Sequence, residues 1–268
     1  MPDVRTPLLL LNGQRLDETA LRPLALANFG HFTVMQVRNR AAQGLDFHLR
    51  RLQYATRRLF DVELDEAALR RQLRQASQQQ ADGSLRITVF SSTFDHRQPQ
   101  HPGCPDVLVS QGPPAPAHKP PMRVKSFDYT RPFAELKHVA TFPLFQFRRE
   151  ALAAGFDDAL FVAGDGAISE GSVWNLVLWD GREWVWPIGP ALRGSAEYLV
   201  QQGLAGLGIG QRHAVVRRQD LPRFAAAFAT NASGIQQIDA IDEVNFGAGE
   251  TLLAQLRQAL QDQPWQPL

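Results

Sequence analysis

Cysteine is almost absent from this chain, and lysine nearly so. The single cysteine, Cys104, excludes an internal disulfide and argues against a cysteine-based metal site. Of the 28 Lys and Arg residues only three are lysines: Lys119, Lys125 and Lys137. Any chemistry that needs an amine side chain therefore has three candidates. No apolar run approaches the ~18 residues of a membrane-spanning helix. The four leucines at 8–11 are too short a run for a secretory signal. Neither sign of charge is in excess. The formal net charge is +1, which points to no nucleic acid and no membrane surface as a partner. Seven histidines lie scattered without metal-ligand spacing, so no metal site is expected. The 268 residues, 44% of them hydrophobic, suffice for one large domain or two modest ones with a sizeable core. A cytoplasmic enzyme is the expectation.

The first 110 residues read as a small α/β unit. Leu8–Leu11 runs into Asn12-Gly13, a strong hairpin signal. Residues 31–38 are rich in β-formers. Asp46 opens a helical stretch whose apolar positions Phe47, Leu49, Leu52, Leu59 and Phe60 leave an arginine-rich outer face. Asp65 begins a second helix, closed by Asp82-Gly83, and strands follow at 84–92 and 105–110. Residues 111–121 then carry five prolines in eleven positions, which neither a helix nor a central strand accommodates; they read as an extended linker. From 122 to 268 a larger mixed unit is expected. Its strands fall at 122–129, 158–164, 173–179, 183–187, 213–218, 225–230 and 235–241, its helices at 141–154, 194–204 and 249–261, and its tail at 262–268 reads as frayed. The glycines of 203–210 imitate a dinucleotide fingerprint but follow a helix, so that reading fails on context.

Four segments stand out together: His48-Leu49-Arg50-Arg51-Leu52, Glu135-Leu136-Lys137-His138, Ile168-Ser169-Glu170-Gly171-Ser172-Val173-Trp174-Asn175, and Ala229-Thr230-Asn231-Ala232-Ser233-Gly234. Each is weak alone. Their order and spacing resemble the class IV aminotransferases, the fold type IV pyridoxal 5'-phosphate (PLP) enzymes, which include branched-chain and D-amino-acid aminotransferases and aminodeoxychorismate lyases. The resemblance spans nearly the whole chain. It implies an α+β fold of two domains, a small N-terminal α/β sandwich and a larger C-terminal mixed, barrel-like domain. It also implies a homodimer.

Residue by residue, the resemblance implies the following roles. Arg51, the arginine of H-x-x-R-L, binds the cofactor phosphate, for which a guanidinium fork is well suited. Lys137 is the Schiff-base lysine. Its amine attacks an aldehyde only when unprotonated, which calls for desolvation or nearby positive charge. Lys119 sits in the proline-rich stretch and Lys125 on an earlier strand, so both fit that role less well. Glu170, 33 residues beyond Lys137, pairs with the pyridine nitrogen. The family's phosphate-binding turn at a helix start corresponds to Leu192-Arg193-Gly194-Ser195-Ala196-Glu197. Backbone amides of Ser195 and Ala196 suit an anion there, but Ala196 and Glu197 stand where the family carries threonine and arginine. Thr230 and Asn231 match the last cofactor-proximal turn.

The resemblance leaves three activities open. The first is a transaminase acting between an amino acid and a 2-oxo acid. The second is a lyase that eliminates pyruvate from aminodeoxychorismate to give 4-aminobenzoate, favoured by the starting segment and by the ATNASGI turn. The third is a non-catalytic PLP-binding relative. Arg38, Arg86, Arg131 and Arg149 are candidate partners for a substrate carboxylate.

Overall fold

The computed structural model describes residues 8–116, 118–247 and 249–268. The chain divides into two compact units. One comprises the N-terminal residues up to Ala115 together with Leu136–Ala140 and Trp265–Leu268; the other comprises Pro116–Glu135 and Thr141–Pro264.

The first unit is built on β1 (Leu8–Leu11), β2 (Gln14–Arg15), α1 (Arg22–Ala27), β3 (Gly30–Arg38), β4 (Ala41–Gln43), α2 (Leu45–Phe60), α3 (Glu66–Gln79), β5 (Gly83–Phe90) and β6 (Asp106–Gly112). Asn12 and Gly13 both take positive φ, the backbone that a two-residue hairpin requires. Asn39 and Arg40 repeat this between β3 and β4. Helix α3 starts where its sequence says, with the Asp65 side chain accepting from the Ala68 amide at 2.9 Å. Leu45, Leu49, Leu52 and Phe60 of α2 and Leu69, Leu73 and Ala76 of α3 fall at helical spacing. They pack with Met35, Val37, Leu85, Ile87, Val89 and Val109 of the sheet as one core.

Two pieces of this unit come from far along the chain. The tail that reads as frayed is a strand, Trp265–Pro267, paired antiparallel with β4 at the sheet edge. Its sequence carries no alternation, so pairing rather than local propensity orders it. Residues 136–140 attach to the start of β3. The Phe32 amide donates to the Lys137 carbonyl at 2.9 Å, and the Val139 amide to the Gly30 carbonyl at 3.0 Å. By composition both pieces read as part of the second domain.

The second unit carries a nine-stranded mixed sheet that curls as a half-barrel. Its elements are β7 (Met122–Asp128), α4 (Phe142–Ala153), β8 (Asp158–Val162), β9 (Ile168–Gly171), β10 (Asn175–Trp179), β11 (Trp184–Pro187), α5 (Ser195–Gly206), β12 (Gln211–Ala214), β13 (Ala226–Asn231), β14 (Gly234–Ile241), β15 (Val244–Asn245) and α6 (Glu250–Gln261). Strand β12 lies slightly earlier than the expected 213–218, parallel to β11. Trp184, Trp186, Val200, Leu204, Phe228 and Leu256 form the core under α5 and α6. Gly203, from the glycine-rich stretch, is a packing device: a Cβ there would run into the Ala259 carbonyl of α6. Strand β6 continues to Gly112, two residues into the expected linker, and 113–116 and 118–121 hold no regular element. Among the described residues, no helix is long and apolar enough to cross a membrane.

Candidate active site

Lys137 and Arg51 belong to the first unit; Glu170, Ser195, Ala196, Thr230 and Asn231 belong to the second.

In the first unit, two buried histidines tie helix α2 to strand β3. Thr33 Oγ1 and His48 Nδ1 lie 2.6 Å apart, and His31 Nε2 and Thr56 Oγ1 lie 2.9 Å apart. Burial pushes both imidazoles down to about 3, so they are neutral near pH 7; for His48 the charges of Arg51 and Lys137 add to that effect. The motif histidine thus acts as a pin. It fixes the turn of α2 that carries Arg51, whose guanidinium lies 4.7 Å from the Phe47 ring centroid. Lys137 Nζ lies 4.8 Å from the Phe32 ring centroid, and Arg86 stacks on the same ring at 3.6 Å. Lys137 is half-buried and shares the Phe32 ring with a second cation. Gly30 sits where a Cβ would come within 2.6 Å of the Val89 carbonyl oxygen, so the strand approaches β5 closely beside the Lys137 segment.

In the second unit, Glu170 is 6% exposed on β9. Its Oε1 meets Arg131 Nε at 3.0 Å, and its Oε2 accepts from the Leu192 amide at 3.2 Å. Arg131, equally buried, also donates to the Ala134 carbonyl at 2.6 Å. The Arg131 guanidinium beside it favours the charged form of the carboxyl, against the desolvation that burial imposes.

Leu192 opens the turn that leads into α5, and Asn175 holds that turn from β10. Asn175 Nδ2 donates to the Leu192 carbonyl at 2.7 Å, and its Oδ1 accepts from the Gly194 amide at 3.1 Å. Ser195 and Ala196 are the first two residues of α5, so their amides have no carbonyl partner within the helix. An anion such as a phosphate fits these donors.

Glu197, where the family carries arginine, turns inward. It is 3% exposed, accepts from the Gly194 amide at 3.3 Å and pairs with Arg193 at 3.1 Å. Burial pushes its carboxyl up, and Arg193 partly offsets this. Arg193 also donates to the carbonyls of Pro187 and Gly189, so the pair staples the turn together.

Thr230 is fully buried beside Asn175, and its hydroxyl donates to the Asn175 carbonyl at 3.5 Å. Asn231 Oδ1 accepts from the Ser233 amide at 3.0 Å and from the Ser233 hydroxyl at 2.7 Å. Its side-chain oxygen is thereby engaged within the turn.

Arg131, a candidate for a substrate carboxylate by sequence, is paired with Glu170 instead. The parts played by Asn175 and the Arg193–Glu197 pair emerge only in the fold. The asparagine of the E-G-x-x-x-N pattern was the signal available for the first. Of the other candidate arginines, Arg38 donates to its neighbour's carbonyl, that of Val37, and Arg86 is engaged with Phe32 and Thr88.

A profile of the family described as amino-transferase class IV matches residues 30–241. No curated protein sequence matches the chain. Solved structures share the fold at low identity. A branched-chain amino acid aminotransferase of Escherichia coli superposes with a TM-score of 0.80 at 17% identity, covering 95% of this chain and 93% of that one. A hypothetical aminotransferase of Mycobacterium tuberculosis in its PLP-bound form gives 0.79 at 20% identity, covering 94% and 98%. A candidate 4-amino-4-deoxychorismate lyase of Legionella pneumophila gives 0.77 at 18% identity, covering 87% and 90%.

Proposed function

The chain belongs to the class IV aminotransferase family, and we propose that it is a PLP-dependent transaminase whose cofactor is carried by Lys137. The observation that carries this reading is the linkage inside the second unit. One backbone hydrogen bond joins the buried carboxylate of Glu170 to the turn that presents the amides of Ser195 and Ala196. A pyridinium partner and a phosphate cradle are thus built from one stretch of chain.

Bound PLP supplies an electron sink for the carbanion left when a substrate amine loses its Cα proton. The remaining work belongs to the protein. Glu170, held by Arg131, keeps the pyridine nitrogen protonated. The Ser195 and Ala196 amides and Arg51 bind the phosphate. Lys137 would take the proton from the substrate Cα as general base and return it as general acid. Thr230 and Asn231 would lie at the turn nearest the cofactor. Amino acids and 2-oxo acids are the substrates, in a homodimer working in the cytoplasm.

The Ala229–Gly234 turn favours a second reading, the pyruvate-eliminating lyase. One experiment separates the two. The PLP-loaded protein is exposed to a panel of D- and L-amino acids while its visible absorption is followed. Bleaching with release of one equivalent of 2-oxo acid supports the transaminase. A band that no amino acid bleaches, with pyruvate released from aminodeoxychorismate, supports the lyase. Absence of any visible band refutes both.

A further inference from the structure

The start of α5 departs from the family pattern where an anion is to be held. Ala196 offers no hydroxyl, and Glu197 puts a carboxylate in the same turn as the Ser195 and Ala196 amides. The positive end of one helix thus serves two anions. Glu197 is buried, so water and salt screen its charge poorly.

Both of its oxygens are engaged. Oε1 lies 3.1 Å from Arg193 Nη1 and accepts from Gln201 Nε2 at 3.4 Å, and Oε2 accepts from the Gly194 amide at 3.3 Å. That amide is shared with Asn175 Oδ1, so the protein's own acceptors occupy it and an incoming anion meets the next two. Two charges act on Glu197 in favour of the carboxylate. One is Arg193. The other is His213 of β12, whose Nε2 lies 3.2 Å from Gln201 Nε2. Strands β10, β11 and β13 carry no ionisable side chain. Helix α6 carries Glu250 and Arg257 and meets α5 at Gly203, well beyond Glu197. Burial outweighs the two favourable charges and holds the carboxyl above the usual glutamate value. Arg193 is the only basic residue from 188 to 199, and it is already matched to Glu197. A dianion on the neighbouring amides therefore brings negative charge for which this turn has no second cation. A proton on Glu197 relieves it.

We propose that Glu197 couples occupancy of this turn to a proton: its carboxyl takes one up from solvent as a dianion settles on the Ser195 and Ala196 amides, and gives it back as the anion leaves. By reciprocity the anion binds more tightly as the pH falls. The inference rests on the reading of this turn as the cradle of the cofactor phosphate.

Sulfate is the probe, because it stays a dianion wherever glutamate titrates. The full-length protein without PLP is titrated calorimetrically with sulfate between about pH 5 and 8. Ionic strength is held constant, and two buffers of different ionisation heat are used at each pH. Net proton uptake is expected, with affinity at least about fivefold higher at the acid end. Glu197→Gln keeps the shape and an acceptor for the Gly194 amide; it is expected to abolish the uptake and flatten the pH dependence. His213→Gln is expected to retain the uptake. Proton release or no exchange in wild type overturns the inference, as does no sulfate binding at all. Uptake that persists in Glu197→Gln, or that disappears in His213→Gln, overturns the assignment to Glu197. Circular dichroism reports whether each variant folds; if Glu197→Gln does not, wild type and His213→Gln decide. A PLP band without proton-linked sulfate binding sinks this inference alone. Proton-linked binding without a PLP band sinks the cofactor reading alone.

Discussion

Replacing Arg131 by Met is expected to destabilise the apoprotein strongly, and replacing Glu170 at the same time to recover much of the loss. The two side chains are 5% and 7% exposed and meet at 3.0 Å. Without the guanidinium, the Oε1 side of Glu170 loses its ion-pair partner. Breaking a buried pair from one side costs about 3–5 kcal/mol, whereas an apolar pair of similar volume is often neutral or better. The lost hydrogen bond from Arg131 to the Ala134 carbonyl adds about 1 kcal/mol to either variant that lacks the arginine. The Arg131→Met and Glu170→Leu singles and the double variant thus form a cycle, measured by urea unfolding at pH 7. The coupling between them is expected to exceed about 2 kcal/mol. A single variant costing under about 1 kcal/mol, as exposed pairs do, refutes the argument. So does a double variant whose loss equals the sum of the singles.

Acid is expected to loosen the first unit through its histidines. His31 and His48 are neutral when folded, with pKa values of about 3, but titrate near 6.5 once unfolded. The unfolded state binds more protons below that value, so stability is intact above about pH 6.5 and falls as the pH drops towards 3. Between pH 6.5 and 5 each histidine costs about 2 kcal/mol. His48→Gln is expected to flatten the dependence of Tm on pH over that range, and parallel curves for variant and wild type contradict this. In the second unit, Gly203→Ala is expected to lower Tm although alanine is the better helix former by about 1 kcal/mol. Its Cβ collides with the Ala259 carbonyl, and overpacking of this kind costs about 1–3 kcal/mol. A raised Tm means that α5 and α6 do not approach so closely.

The parts of this molecule that sequence reading reached are those with local causes. The Asn12-Gly13 turn, the Asp65 cap and the apolar stripes of α2 and α3 each announce themselves within a few residues. The family's motifs were legible in the same way, as residue types at fixed spacing over a stretch that the family profile also matches. What stayed hidden depends on partners far away in the chain. Trp265–Pro267 is a strand because Ala41–Gln43 offers it an edge, and Leu136–Ala140 sides with the first unit because it bridges to β3. Arg131 was one of four arginines open to a substrate carboxylate, and nothing local pairs it with Glu170, which stands 3.0 Å away in the fold. The replacement of arginine by Glu197 was visible as a departure, but its consequence was not. The carboxylate is buried and caps the helix, and Arg193, four residues back, neutralises it.

The central claim, that Lys137 carries PLP, is open to a direct measurement because the chain has only three lysines. The purified protein is loaded with PLP, reduced with borohydride, digested and mapped by mass spectrometry. The expected result is a phosphopyridoxyl adduct on the peptide containing Lys137, with Lys137→Ala giving neither the adduct nor the visible band. An adduct on Lys119 or Lys125 instead, or a band that survives Lys137→Ala unchanged, contradicts the claim.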